Sequence, residues 1–191
     1  ESRQSLLAQQ RSEQANISTQ IQSIAESGSS GSAGGSSRRL LVPFDVFISF
    51  RFGEAHAEAL VLKAALEARG LTAFLSNASP GSDLQEVIAH ALANCKLAII
   101  LATKTYGRKT NALFCTSAEM NYIVGNDRKE FFLVRMIPLG DDWAEPLTTM
   151  AFPPSIMYKL WVPGEPMPDG LADEIVGRVR REEARRSRRG S

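Results

Sequence analysis

Two charged residues lie where the surrounding sequence gives them both a structural and a chemical interpretation. Glu119 comes three residues after Thr116, the spacing of a capping box at the start of a helix. A carboxylate can also stabilise positive charge that develops while a bond breaks. Arg51 directly follows an apolar segment, where it could bind a phosphate group or simply pair with Glu54. The pattern leaves both alternatives open for each residue.

Cysteine and histidine are scarce in this chain. Its 191 residues include two cysteines, Cys95 and Cys115, and two histidines, His56 and His90. Two cysteines cannot build a disulfide framework or a four-cysteine zinc site. Cys115 also lacks a nearby base that would activate it as a nucleophile. We therefore expect no metal site and no cysteine-based catalysis.

The charges of the chain are divided unevenly. The formal net charge is +1, but residues 178–191 hold seven arginines and two glutamates, which leaves 15 basic and 19 acidic side chains elsewhere. The body of the protein is therefore mildly acidic, which argues against a nucleic acid partner. The sequence has no apolar run as long as a membrane span and no secretory signal, so we expect a cytoplasmic protein.

Composition divides the chain into four segments. Residues 1–26 are polar and rich in Gln and Ser, and we expect a polar helix or a disordered segment there. Residues 27–42 form a linker rich in Gly and Ser. Residues 43–183 carry the alternating apolar segments of a folded domain, and residues 184–191 form a basic tail.

The folded segment alternates between strand and helix patterns. Continuous apolar or β-branched runs predict strands at 44–50, 71–75, 97–102, 131–137 and 158–162. Apolar residues at helical spacing predict helices at 54–69, 82–95, 116–124 and 171–185. We therefore expect an α/β fold, a doubly wound, flavodoxin-like five-stranded parallel sheet with helices on both faces. Such sheets bind ligands beyond the carboxyl ends of their strands.

Three segments together resemble the TIR domain, the Toll/interleukin-1 receptor/resistance protein module. The sequence FDVFISF at 44–50, followed by Arg51, resembles the opening box of that family. The loop Ser76–Asp83, with Pro80-Gly81, lies where the family has its BB loop. Tyr106 and the segment FCTSAEM at 114–120 resemble the entry into the third helix. The resemblance covers residues 43–183.

The resemblance implies roles for individual residues. The catalytic carboxylate of the family corresponds to Glu119. Phe50, Arg51, Phe74 and Cys115 could then contact the substrate: Phe50 and Phe74 as walls against its nicotinamide or adenine ring, unless Phe74 belongs to the core, and Cys115 in place of a Trp that is common in the family. The residues implied for the lid and for contacts between TIR domains are Ser79, Pro80 and Gly81.

The resemblance also implies two alternative functions. Some TIR domains cleave NAD+ at the nicotinamide–ribose bond, whereas others are non-catalytic adaptors that signal through TIR–TIR contacts. We expect an NAD+ glycohydrolase that acts when self-associated, with NAD+ as its substrate, no cofactor, and other TIR-domain proteins as partners. A phosphoaccepting receiver of the same topology is disfavoured, because the third strand ends in Ala102-Thr103-Lys104 and not in an Asp.

Overall fold

The computed structural model describes residues 44–75, 82–110, 115–126 and 129–189. The predictions made for residues 1–42 and for the loop residues Ser79, Pro80 and Gly81 lie outside this part of the chain. Among the described residues, no helix combines the length and the apolar character needed to cross a membrane.

The described chain alternates between strands and helices, as the sequence predicts. The strands are β1 Val46–Phe50, β2 Ala73–Leu75, β3 Leu97–Ala102, β4 Phe131–Arg135 and β5 Tyr158–Leu160. The helices are α1 Phe52–Glu67, α2 Ser82–Asn94, α3 Thr116–Val124, α4 Pro146–Ala151 and α5 Leu171–Arg189.

The five strands form one parallel sheet in the order β2-β1-β3-β4-β5. Every residue of β1 and β3 is buried, as expected for central strands that are covered on both faces. The doubly wound, flavodoxin-like architecture is therefore confirmed. The carboxyl ends of β1, β3 and β4 lie side by side at one edge, because Phe50 pairs with Leu101 and Ala102 pairs with Arg135.

Each face of the sheet has its own apolar layer. The layer that includes α1 and α5 contains Phe50, Val134 and Trp161. The opposite layer includes α2 and α3 and contains Phe47, Tyr106 and other side chains. Side chains alternate along β1, so Phe50 and its predecessor Ser49 point to opposite faces. This alternation decides which predicted site residues can meet.

The structure differs from the predicted elements at two places in the second half of the chain. Residues 146–151 form the short helix α4 inside what the sequence predicts to be an irregular, Pro-rich connection. Pro146 begins this helix, where its missing N–H costs nothing. Helix α5 continues to Arg189, and so it includes most of the residues predicted to form a basic tail.

Candidate active site

A carboxylate and two hydroxyl groups meet close to the carboxyl end of β1. Glu119 lies in the first turn of α3 and is only 2% exposed. Its Oε2 accepts a hydrogen bond of 2.5 Å from Ser49 Oγ, and Ser49 is fully buried in β1. Ser49 Oγ lies 2.7 Å from the hydroxyl of Tyr106, which is also fully buried. Three polar side chains from separate segments thus form one buried, hydrogen-bonded chain.

Tyr106 is held as a neutral phenol in this arrangement. Burial raises its pKa, the negative charge of Glu119 raises it further, and the hydrogen bond with Ser49 lowers it only in part. A neutral phenol can donate a proton in a hydrogen bond. The hydroxyl of Tyr106 therefore keeps its proton at physiological pH.

The structure shows that the capping box predicted for α3 is wrong. Cys115 is the N-cap residue, and Thr116 is the first residue of the helix. The hydroxyl of Thr116 accepts a hydrogen bond of 3.2 Å from the backbone N–H of Gly107. The carboxylate of Glu119 extends to Ser49 in the sheet, a tertiary partner that local spacing cannot reveal. Its position in the first helical turn still favours a negative charge.

Arg51 pairs with Glu54, which is one of the two alternatives that the sequence left open. Its Nε lies 3.2 Å from Glu54 Oε1, and its guanidinium also donates to the Thr105 carbonyl at 3.5 Å. Burial works to raise the pKa of Glu54, but hydrogen bonds from Thr105 and the charge of Arg51 hold that pKa below its ordinary value. Arg51 keeps a quarter of its side chain exposed.

The two aromatic residues predicted to line the pocket are core residues on opposite faces. Phe50 belongs to the layer of α1, and its ring lies 5.9 Å from that of His56. Phe74 belongs to the layer of α3 and stacks on Phe47 at 5.7 Å. The sheet therefore separates Phe50 from Glu119, whereas Phe74 lies on the same side as Glu119.

Cys115 lies one helical turn before Glu119. Its carbonyl accepts the backbone N–H of Glu119 at 3.1 Å, and the residue is 8% exposed. Burial works to raise the pKa of the thiol, but the backbone N–H groups of Thr110, Ala118 and Ser117 outweigh it and lower the pKa. Cys115 therefore lies beside Glu119 at the start of α3, and its contact with a substrate stays a prediction.

Ser49 and Tyr106 were not among the predicted site residues, although they form the hydrogen-bonded chain that ends at Glu119. One signal in the sequence could have indicated Ser49. It is the single hydroxyl residue in the strand sequence VFISF, whose every position is buried. A buried hydroxyl needs a hydrogen-bonding partner, so its position predicts a polar group across from β1.

A metal site and a surface groove were the two other possibilities for a functional site. In the part of the chain that the structure describes, no three residues among His, Cys, Asp and Glu cluster as a metal site would require. A groove of about 390 Å³ lies between β5 and α5, lined in part by Met157, Lys159 and Arg178. This groove contains none of the predicted site residues.

Comparisons with known proteins give one family. The family model described as "TIR domain" matches residues 46–165, which is more than half of the chain. A search of solved structures finds 18 matching chains. One of them is the crystal structure of the RPS4 and RRS1 TIR domain heterodimer, with 15% identity, 72% of this chain and 96% of that chain covered, and a TM-score of 0.46. No curated protein matches the chain.

Proposed function

Because this chain belongs to the TIR domain family, we propose that it is a signalling protein that cleaves NAD+ at the nicotinamide–ribose bond when copies of it associate. The observation that carries the proposal is the carboxylate of Glu119. It is 2% exposed, it lies near the carboxyl ends of the central strands, and it is held by the neutral hydroxyl of Ser49. Strongly desolvated carboxylates at such sheet edges are candidates for catalysis.

The reaction needs what a fixed carboxylate supplies. When the bond between C1′ of the ribose and the nicotinamide nitrogen breaks, both electrons of that bond go to the nitrogen, and nicotinamide leaves as a neutral molecule. The ribose carbon becomes oxocarbenium-like, and the negative charge of Glu119 stabilises it. Water then attacks C1′ and releases a proton to solvent, which gives ADP-ribose.

Substrate contacts follow from the same edge of the sheet. Arg51 would bind the pyrophosphate or a ribose hydroxyl with the exposed part of its guanidinium, while Glu54 continues to orient it. Phe74 and Cys115 would contribute to the wall on the side of Glu119, and Phe50 would support the carboxyl end of β1 from the opposite face. The loop with Ser79, Pro80 and Gly81 would act as the lid and as a contact to other TIR domains.

The alternative function is a non-catalytic adaptor that acts through TIR–TIR contacts. The hydrogen bond from Ser49 is also compatible with this function, because a carboxylate that has its partner inside the protein can serve the fold alone. Both functions depend on neighbouring copies, so assembly does not distinguish them. Turnover of NAD+ does.

The test measures nicotinamide release by the full chain at concentrations where light scattering shows association. Three proteins are compared: the parent, Glu119→Gln, and Glu174→Gln as a control at an exposed ion pair with Lys159. We expect the parent and the control to release nicotinamide and Glu119→Gln to lose this activity while remaining folded. Equal turnover in all three would contradict the role of Glu119. No turnover in an associated parent would favour the adaptor.

A further inference from the structure

The hydroxyl groups of Tyr106 and Ser49 form a hydrogen-bonded chain that ends at the carboxylate of Glu119. We propose that Tyr106 is a positioning residue for Glu119, and that it acts through Ser49 to keep the carboxylate ionised and oriented toward the carboxyl edge of the sheet. The catalytic part of this proposal rests on the proposed function. The electrostatic part concerns the state of Glu119 itself and is independent of any reaction.

The geometry gives the hydrogen-bonded chain a single direction. Ser49 donates its one hydroxyl proton to Glu119 Oε2, at 2.5 Å. The oxygen of Ser49 is then left as an acceptor, and Tyr106 donates to it at 2.7 Å. Each donation polarises the next hydroxyl and strengthens the bond that reaches the carboxylate.

Tyr106 is itself fixed from two sides. Its backbone N–H donates to the Thr103 carbonyl at 3.1 Å, which closes the turn after β3. Its carbonyl accepts the hydroxyl of Thr148 at 2.7 Å, and Thr148 is fully buried in α4. The ring of Phe152 lies 6.4 Å from the ring of Tyr106. The phenol therefore approaches Ser49 from a rigid support.

The other ionisable groups considered on the neighbouring elements are paired, held by backbone groups, or exposed. At the end of β1, Arg51 pairs with Glu54. After the turn that holds Tyr106, Arg108 lies 3.7 Å from Glu145, which precedes α4. On α3 the thiol of Cys115 contacts backbone N–H groups. Lys104, also in the turn, is exposed. Substituting any of these arginines or lysines by a neutral residue would change the charge near Glu119. Removing the hydroxyl of Tyr106 tests the hydrogen-bonded chain and leaves those charges in place.

The first variant is Tyr106→Phe, which removes one oxygen and keeps the ring. In associated protein we expect kcat for NAD+ cleavage to fall about tenfold, because a hydrogen bond that supports a charged group is lost, while KM changes less than about twofold. Tyr158→Phe is the matched control, because that phenol is 38% exposed and lies on β5. We expect it to match the parent. Unchanged kcat in Tyr106→Phe, or an increase, would overturn the proposal.

A second readout does not need activity. The side-chain carboxyl signals of ¹³C-labelled glutamates are titrated by NMR, and the signal of Glu119 is assigned by its absence in Glu119→Gln. We expect its titration midpoint to rise by about one pH unit in Tyr106→Phe, since the ionised form loses support. An unshifted midpoint would overturn the proposal.

The two readouts separate the two proposals. If the associated parent releases no nicotinamide, the proposed function fails, and the titration still decides whether Tyr106 positions Glu119. If Tyr106→Phe does not fold, Thr148→Val takes its place, because it keeps the side-chain shape and removes the bond to the Tyr106 carbonyl. We expect the same upward shift of the midpoint in Thr148→Val, and its absence would count against the proposal.

Discussion

Ser49 and Glu119 are joined by a hydrogen bond of 2.5 Å although 70 positions separate them in the sequence. One side chain belongs to the first strand of the sheet and the other to the helix that follows the third strand. Both are buried. The contact therefore exists only when β1, β3 and α3 are assembled, and we expect its loss to lower the stability of the fold.

Replacing Ser49 with Ala is expected to lower the free energy of unfolding by about 2 kcal/mol, because a buried carboxylate loses a hydrogen bond. Urea denaturation measures the change. Ser187→Ala is the control, since that hydroxyl lies on the exposed end of α5, and we expect a change below about 0.5 kcal/mol. In a Glu119→Gln background the cost of Ser49→Ala should be smaller. An equal cost in both backgrounds would mean that charge plays no part in the contact.

Gly107 is expected to tolerate no side chain. Its φ is +81°, and a Cβ there would lie 2.2 Å from Thr148 Oγ1. We expect Gly107→Ala to cost about 3 kcal/mol through backbone strain and overpacking. Gly140→Ala is the matched control, because Gly140 has a φ of +95° with nothing within 4 Å of its Cβ, and strain alone should cost about 1 kcal/mol. Thermal unfolding compares them, and equal losses would contradict the packing argument.

Asp45 is expected to make the fold sensitive to acid. Partial burial pushes its pKa upward, but the ammonium of Lys96, at 2.5 Å, and hydrogen bonds from Thr72 outweigh this and lower the pKa. A lowered pKa in the folded state means that ionised Asp45 stabilises the protein above its unfolded value of about 4, and that this contribution is lost as the pH falls through the folded value.

The variant Asp45→Asn tests this sign. It should lower the urea midpoint most at neutral pH, and the gap to the parent should close as the pH falls below about 4. The measurement is a series of urea denaturation curves between neutral and acidic pH. A gap that stays constant, or widens in acid, would show that the ionised carboxylate is not the stabilising form.

The two cysteines are expected to react at different rates. Backbone N–H groups lower the pKa of Cys115 in spite of its burial, whereas burial raises the pKa of the fully buried Cys95. Iodoacetamide should therefore modify Cys115 at least about tenfold faster in the folded protein, as mass spectrometry of digests would show. The fast phase should disappear in Cys115→Ser. If Cys115 also lines the substrate site, NAD+ should slow its modification, and an unchanged rate would remove it from that site.

Much of the fold could be predicted because its signals are local. The run Leu97–Ala102 is continuously apolar, and it matches β3 at both ends. Helix α5 is longer than its apolar stripe, because Arg, Glu and Ala continue to favour helix after the stripe ends. Helix α4 has six residues, which is too short for a periodic pattern, so the sequence predicts an irregular connection there.

The site could be predicted only in part, because its decisive contacts are not local. Glu119 is found through family resemblance, but local spacing assigns its carboxylate to a capping box. In the structure the carboxylate binds Ser49 in the sheet instead. Tyr106 and Ser49 lie 57 positions apart, and only the parallel pairing of β1 with β3 brings them together. Phe50 precedes Arg51 directly, yet strand alternation turns its ring to the other face of the sheet.

The two apolar layers have a practical consequence for following this protein in solution. The chain contains two tryptophans. Trp143 lies in the layer of Tyr106, with the guanidinium of Arg135 4.6 Å from the centre of its ring, and Trp161 lies in the layer of α1 and α5. Each side of the sheet therefore carries its own intrinsic fluorophore. With Trp161→Phe the remaining emission reports on the side that holds Glu119, and with Trp143→Phe it reports on the other.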